Sequence, residues 1–248
     1  MSWNSSAAVE EEVLDGKMAS PMASVSELEP LFDRFKSELR YRRIFRDGAV
    51  DVDGYCAAPM RAVFVLKEVN EPHADREWDL REYVRDGARG QTWDNVARWT
   101  LTILHGATWT DSQTIDDQTR RQTLRSIAVV NLNKEGAGAA THRPSLQLAA
   151  RKARHLLARQ IEILDPHVVG CCGSNTGDLA GEILYGLAPK DWERVYQGVW
   201  IAPTRIGKTA ITMPHPQARR SARDMHEGLR GALARLDGEM KARPNRVG

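Results

Sequence analysis

Four apolar runs of the chain each end in a short polar segment, and the residue types there are those that handle heterocycles and water. Behind "RAVFV" comes "LKEVNEPH" (66–73), which sets Lys67, Glu68, Asn70, Glu71 and His73 within seven residues. Behind "SIAVV" comes "NLNK" (131–134), behind "HVVGC" comes "CGSNTGD" (172–178), and behind "TAITM" comes "PHPQARR" (214–220). An asparagine presents a donor and an acceptor side by side, which matches the edge of a planar base. A carboxylate or an amide positions a water, and a histidine stabilises charge on a leaving group. The candidates are Glu68, Asn70 and His73, then Asn131, Asn133 and Lys134, then Ser174, and finally His215 and Gln217. His215 lies between Pro214 and Pro216, two residues of fixed φ that stiffen the backbone around it.

The elements that carry these segments read as an alternation of strands and helices. Residues 61–66, 126–134, 167–173 and 209–216 are predicted strands, the first two with the unbroken apolar character of strands buried on both faces. Helices are predicted over 27–47, 91–106 and 145–164, from Ser174, and from Ser221, where Asp224 three residues on suggests a capping box. In the 145–164 helix, Leu146, Ala149, Ala153, Leu157, Ile161 and Leu164 face inward, opposite Arg151, His155 and Arg159. This alternation predicts an α/β fold, a three-layer α/β/α sandwich with a central, mainly parallel four-stranded sheet. Ligands of such folds bind beyond the carboxyl ends of the strands. All four polar segments belong on that rim. Residues 1–25 are expected to be a flexible acidic tail, 26–240 a single domain, and 241–248 a second tail.

The 248 residues are 42% hydrophobic and 27% charged. No run of about 18 apolar residues exists to span a membrane, and "MSWNSSAAVEEEVLDGK" lacks a signal-peptide layout. A cytoplasmic protein without a membrane partner is expected. The formal charge of +2 conceals an asymmetry, because residues 205–246 hold ten Lys/Arg against four acids, a net +6. That concentration suits a polyanionic partner. The cysteines (Cys56, Cys171 and Cys172) lack the spacing of a disulfide scaffold, a zinc site or a four-cysteine cluster, and read as small core residues. "RIGKT" (205–209) has Ala202 where a P-loop requires glycine.

"EVNEPH", "VVNLNK" and "PHPQAR", in this order and at these strand ends, resemble the three motifs of the uracil-DNA glycosylase superfamily. The resemblance covers residues 55 to 235 approximately. It implies hydrolysis of the N-glycosidic bond of uracil or a related deaminated base in single- or double-stranded DNA, with no cofactor or metal. A monomer is expected, although the sequence does not carry the oligomeric state. Asn70, or Glu68 in an alternative register, takes the water-positioning role, and His215 stabilises the departing base. Asn133 or Asn131 reads the base edge, with His73 and Trp78 beside it. Arg219, Arg220, Arg223 and Ser174 take the DNA backbone. Three positions depart from the motifs: Glu68 replaces a glycine, Glu71 a proline, and Gln217 the usual serine. Two further readings follow from those acids, a non-catalytic nucleic-acid or nucleotide-binding protein and a hydrolase of free nucleosides. Residues 77–95 read as an inserted stretch covering the site.

Overall fold

The structure, a computed structural model, describes residues 25–71, 77–137, 142–204 and 208–242, with side chains described through 236. The predicted N-terminal tail, apart from Val25, and His73 lie outside these residues. Val25 is buried in the core and so belongs to the domain.

The first helix, α1 (Leu28–Leu39), buries Leu28, Leu31, Phe32 and Phe35 and ends at Arg40 in the left-handed region. The predicted helix over 27–47 is therefore too long. Residues after Arg40 run beside the sheet instead, where the Phe45 N–H donates to the Lys134 carbonyl (2.8 Å), and lead into β1 (Gly48–Ala49). There follow α2 (Val52–Ala57), β2 (Ala62–Asn70), α3 (Leu80–Arg85), α4 (Gln91–His105), α5 (Trp109–Ser112), α6 (Asp117–Leu124) and β3 (Ile127–Ala137). The predicted 145–164 helix is two helices, α7 (Arg143–Lys152) and α8 (Arg154–Leu164), broken at the buried Ala153. No proline or glycine marks that break. Then come β4 (Val168–Cys172), α9 (Ser174–Ala180) with a π-helical turn after it, β5 (Glu193–Tyr196), β6 (Val199–Pro203), β7 (Thr209–Met213) and α10 (Ala222–Ala242).

The sheet has seven strands in the order β1-β3-β2-β4-β7-β6-β5. Its centre, β3-β2-β4-β7, is the parallel set anticipated from the sequence. The expectation of four strands is corrected, because β1 at one edge and β6 and β5 at the other pair antiparallel and make the sheet mixed. β1 and β5 escape a reading of apolar runs, since β1 is two residues long and β5 is "ERVY", mostly exposed, whereas the apolar run of β6 ("VWIAP") was not read as a strand.

Helices cover both faces of the sheet. Val63, Val65, Val130 and Leu132 pack with Phe32, Phe35, Leu156 and Leu157 on one side. Phe64, Val129, Ile211 and Met213 pack with Val96, Trp99, Leu229 and Ala232 on the other. Burial on both faces is the reason these strands read as continuous apolar runs. Cys171 and Cys172 are buried between the layers as free thiols, which burial pushes above the usual range. Gly177 lets α9 lie directly on β7, because a Cβ there would stand 2.0 Å from Thr212 Oγ1. No described helix is long and apolar enough to cross a membrane.

Candidate active site

The carboxyl ends of β2, β3 and β7 open on a cleft of about 1010 Å³. Its lining includes Lys67, Glu68, Asn70 and Glu71 from β2 and the residue after it, Asn131 from β3, and His215 and Gln217 from the segment after β7. The facing wall is built by residues 78–93: Trp78, Glu82, Tyr83 and Asp86 on and around α3, and Thr92 and Trp93 at the start of α4. The stretch read as an insertion thus forms one side of the cleft.

Strand alternation aims the polar groups. Leu66 pairs with Asn131 in the parallel β2–β3 register, and Glu68 with Asn133. Leu66, Glu68 and Asn70 follow Ala62 and Phe64 on the face of the sheet that α3 and α4 cover, and Asn131 follows Val129 there. Asn131 is only 1% exposed. Its Nδ2 has no hydrogen-bond partner among the described residues, although it lies on the cleft lining. A buried amide donor without a partner is costly and is usually explained by something absent from the site.

Asn133 is accounted for differently. Its Oδ1 accepts the Glu135 N–H (3.1 Å) and its Nδ2 donates to the Gly136 carbonyl (3.4 Å), local bonds within the irregular end of β3, and Asn133 is not part of the cleft lining. Of the two asparagines left open by the sequence, Asn131 is the one at the cleft. Lys134, on the opposite face of β3, is fully buried rather than on the rim. Its ammonium donates to both oxygens of Asp47 at 2.7 Å and stands over the Phe35 ring. Gln160 Nε2 also donates to Asp47 (2.7 Å), and Asp47 accepts the Asn131 backbone N–H (2.7 Å). Burial lowers the Lys134 pKa, and Asp47 opposes that shift. Sequence reading missed this network, because neither Asp47 nor Gln160 belongs to a motif.

His215 is held from α4. Asn95 Nδ2 donates to the Pro216 carbonyl (2.8 Å), and Gln91 Nε2 donates to the Ala218 carbonyl (3.3 Å). The Gln217 N–H donates to His215 Nδ1 (3.1 Å), so the neutral ring carries its proton on Nε2. Burial, and then the positive charge of Lys67, pushes the His215 pKa below that of an ordinary imidazole. The ring is a neutral hydrogen-bond donor at neutral pH.

Lys67 and His215 also line a second, smaller pocket with Ser174, Thr176 and Arg220. Thr176 Oγ1 is buried there without a partner among the described residues. Between the strand and the helix that bound this pocket, Gly173 adopts a φ of 110°, which a side chain would resist. Arg220 Nη1 donates to the Gln197 carbonyl (3.0 Å), and Arg219 and Arg223 are exposed beside it.

An aromatic row backs the facing wall. Trp78 meets Tyr83 edge-on (5.9 Å between centroids), and Tyr83 meets Trp93 edge-on (6.3 Å). Trp93 is largely core, while Tyr83 is 47% exposed. Glu82 and Tyr83 on the short helix, and Asp86 at its C-cap, were not singled out from the sequence, although all three line the cleft. Among the described residues no group of three or more His, Cys, Asp or Glu side chains is arranged to hold a metal ion. No protein-family model matches the chain, and a search of curated proteins finds no significant match.

Proposed function

We propose that the protein is a DNA base-excision glycosylase, hydrolysing the N-glycosidic bond of a nucleobase turned out of the stack into the cleft. The observation that carries this reading is the buried, unpartnered Asn131 amide opening on the same cleft as a neutral His215. An amide in that position pairs with the polar edge of a base, and the His215 Nε2–H stabilises electron density arriving on it. Asn70, or Glu68 beside it, orients the attacking water at C1′. Phosphates run along the flank formed by Ser174, Arg219, Arg220 and Arg223. The resemblance of the three motifs to the uracil-DNA glycosylase superfamily makes uracil and related deaminated bases the first substrates to test.

A second reading, a nucleic-acid or nucleotide-binding protein without catalysis, is favoured by one observation. Glu68 and Glu71 line the cleft where the motifs have a small residue and a proline.

The test is strand cleavage of labelled single- and double-stranded oligonucleotides carrying uracil, hypoxanthine or xanthine, followed by alkali. Release of a base that is lost in Asn131→Ala and His215→Ala supports the glycosylase. Asn131→Ala removes an Nδ2 that has no partner among the described residues, so the variant should fold normally. Salt-sensitive binding without release moves the assignment to the binding protein.

A further inference from the structure

The described lining of the cleft carries Glu68, Glu71, Asp79, Glu82 and Asp86 against a single cation, Lys67. Arg81 neutralises Asp79 through a two-pronged pair, with contacts of 2.5 to 3.0 Å. Glu71, Glu82 and Asp86 then remain without a counter-ion among the described residues. Lys67 stands on the His215 side, shared with the second pocket, so the wall beside α3 is acidic. That same wall presents the half-exposed Tyr83 ring and the partly covered Trp78 ring.

Aromatic faces framed by carboxylates attract a flat, positively charged group, because the ring quadrupole and the fixed negative charges act in the same direction. The same wall repels a phosphate, and a neutral pyrimidine gains little from it. The Asn131 amide independently marks the floor of the cleft as a place where a polar heterocycle edge ends.

We infer that the cleft takes a cationic nucleobase, a purine alkylated on a ring nitrogen such as 7-methylguanine or 3-methyladenine. This inference rests on the base-excision reading for its chemistry, although not for its recognition. The step balances without a proton donor to the base. The water oxygen bonds to C1′ as the C1′–N9 bond breaks, and the bonding pair enters the ring and cancels its positive charge. The base departs neutral, and the water proton passes to a cleft carboxylate and then to solvent. A neutral His215 is sufficient for such a leaving group.

The experiment has two arms on the full chain. One measures release of 7-methylguanine and 3-methyladenine from methylated duplex DNA beside release of uracil, hypoxanthine and xanthine. The other measures binding of 7-methylguanosine and guanosine by quenching of tryptophan fluorescence. Faster release of the methylated bases is expected, with about tenfold tighter binding of 7-methylguanosine than of guanosine. Glu82→Gln with Asp86→Asn should bring the two nucleosides to equal affinity, erasing the preference. Release of uracil alone, with equal binding of the two nucleosides, overturns the cationic base and leaves base excision standing. A preference for 7-methylguanosine without release of any base supports cation recognition and removes base excision. Neither release nor preference overturns both.

Discussion

The Asp47 carboxylate accepts the backbone N–H of Asn131 at 2.7 Å and thereby fixes the residue whose side chain opens on the cleft. The carboxylate is fully buried and is held in turn by Lys134 and Gln160. A charge pair in the core therefore supports the backbone of the candidate base reader from behind.

Removing one half of that pair should be expensive. Lys134→Met leaves Asp47 charged and unpaired in the core, at a cost of about 3–5 kcal/mol. Adding Asp47→Asn removes the orphaned charge and still offers an oxygen to the Asn131 N–H. Urea denaturation should show the double variant more stable than Lys134→Met alone. Additive losses would mean that the two side chains act independently.

Acid should weaken the fold through His226. This ring is fully buried in α10, with Nε2 2.9 Å from Thr102 Oγ1 and 3.2 Å from Ser112 Oγ. Both hydroxyls donate to backbone carbonyls, of Arg98 and Thr108, so the ring is the donor to each. Burial lowers its pKa, with Glu227 opposing and Arg230 reinforcing the shift. The unfolded imidazole takes a proton near pH 6.5 and the folded one resists it, so the unfolded state binds more protons below that point. Stability present above pH 6.5 is lost as the pH falls through that value. Thermal midpoints between pH 7.5 and 5 should decline more steeply for the wild type than for His226→Leu; parallel curves would show that His226 does not carry the dependence.

If DNA lies along the arginine flank, its affinity must report each phosphate contact. Arg219→Ala and Arg223→Ala should each reduce the slope of log K against log salt by about 0.9 for duplex DNA. Both residues are exposed, so the stability of each variant should stay within about 0.5 kcal/mol of wild type. An unchanged slope removes these arginines from the interface.

Gly177→Ala tests the seating of α9 on β7. The new methyl would overlap the Thr212 hydroxyl, and over-packing of this kind costs about 1–3 kcal/mol. A urea midpoint equal to wild type would show that the helix can lift from the strand freely.

The four parallel strands were legible because burial on both faces writes each of them as an uninterrupted apolar run. The edges were not, since β5 is mostly exposed and β1 has no length over which a pattern can form. The rim was legible in outline: Glu68, Asn70, Asn131, Trp78 and His215 do meet at one cleft. The choice between Asn131 and Asn133 was not, because alternation sends both to one face and only the register irregularity of β3 after Asn133, with the local bonds to Glu135 and Gly136, draws its side chain aside. Lys134 looked like a rim residue for a related reason. Its partner Asp47 lies 87 positions away, and nothing local announces that a lysine is to be buried. The acidic side of the cleft was hidden in a six-residue helix too short to show a period.

Helix α4 carries Trp93 on the aromatic wall and, two residues later, Asn95 gripping the loop that bears His215. One rigid rod thus serves both jaws of the cleft. A ligand that pushes the wall outward drags the imidazole with it, so fit at the ring and reach at the histidine cannot be adjusted separately. Occupants of the wrong thickness would be rejected by misalignment of His215 as well as by loss of contact.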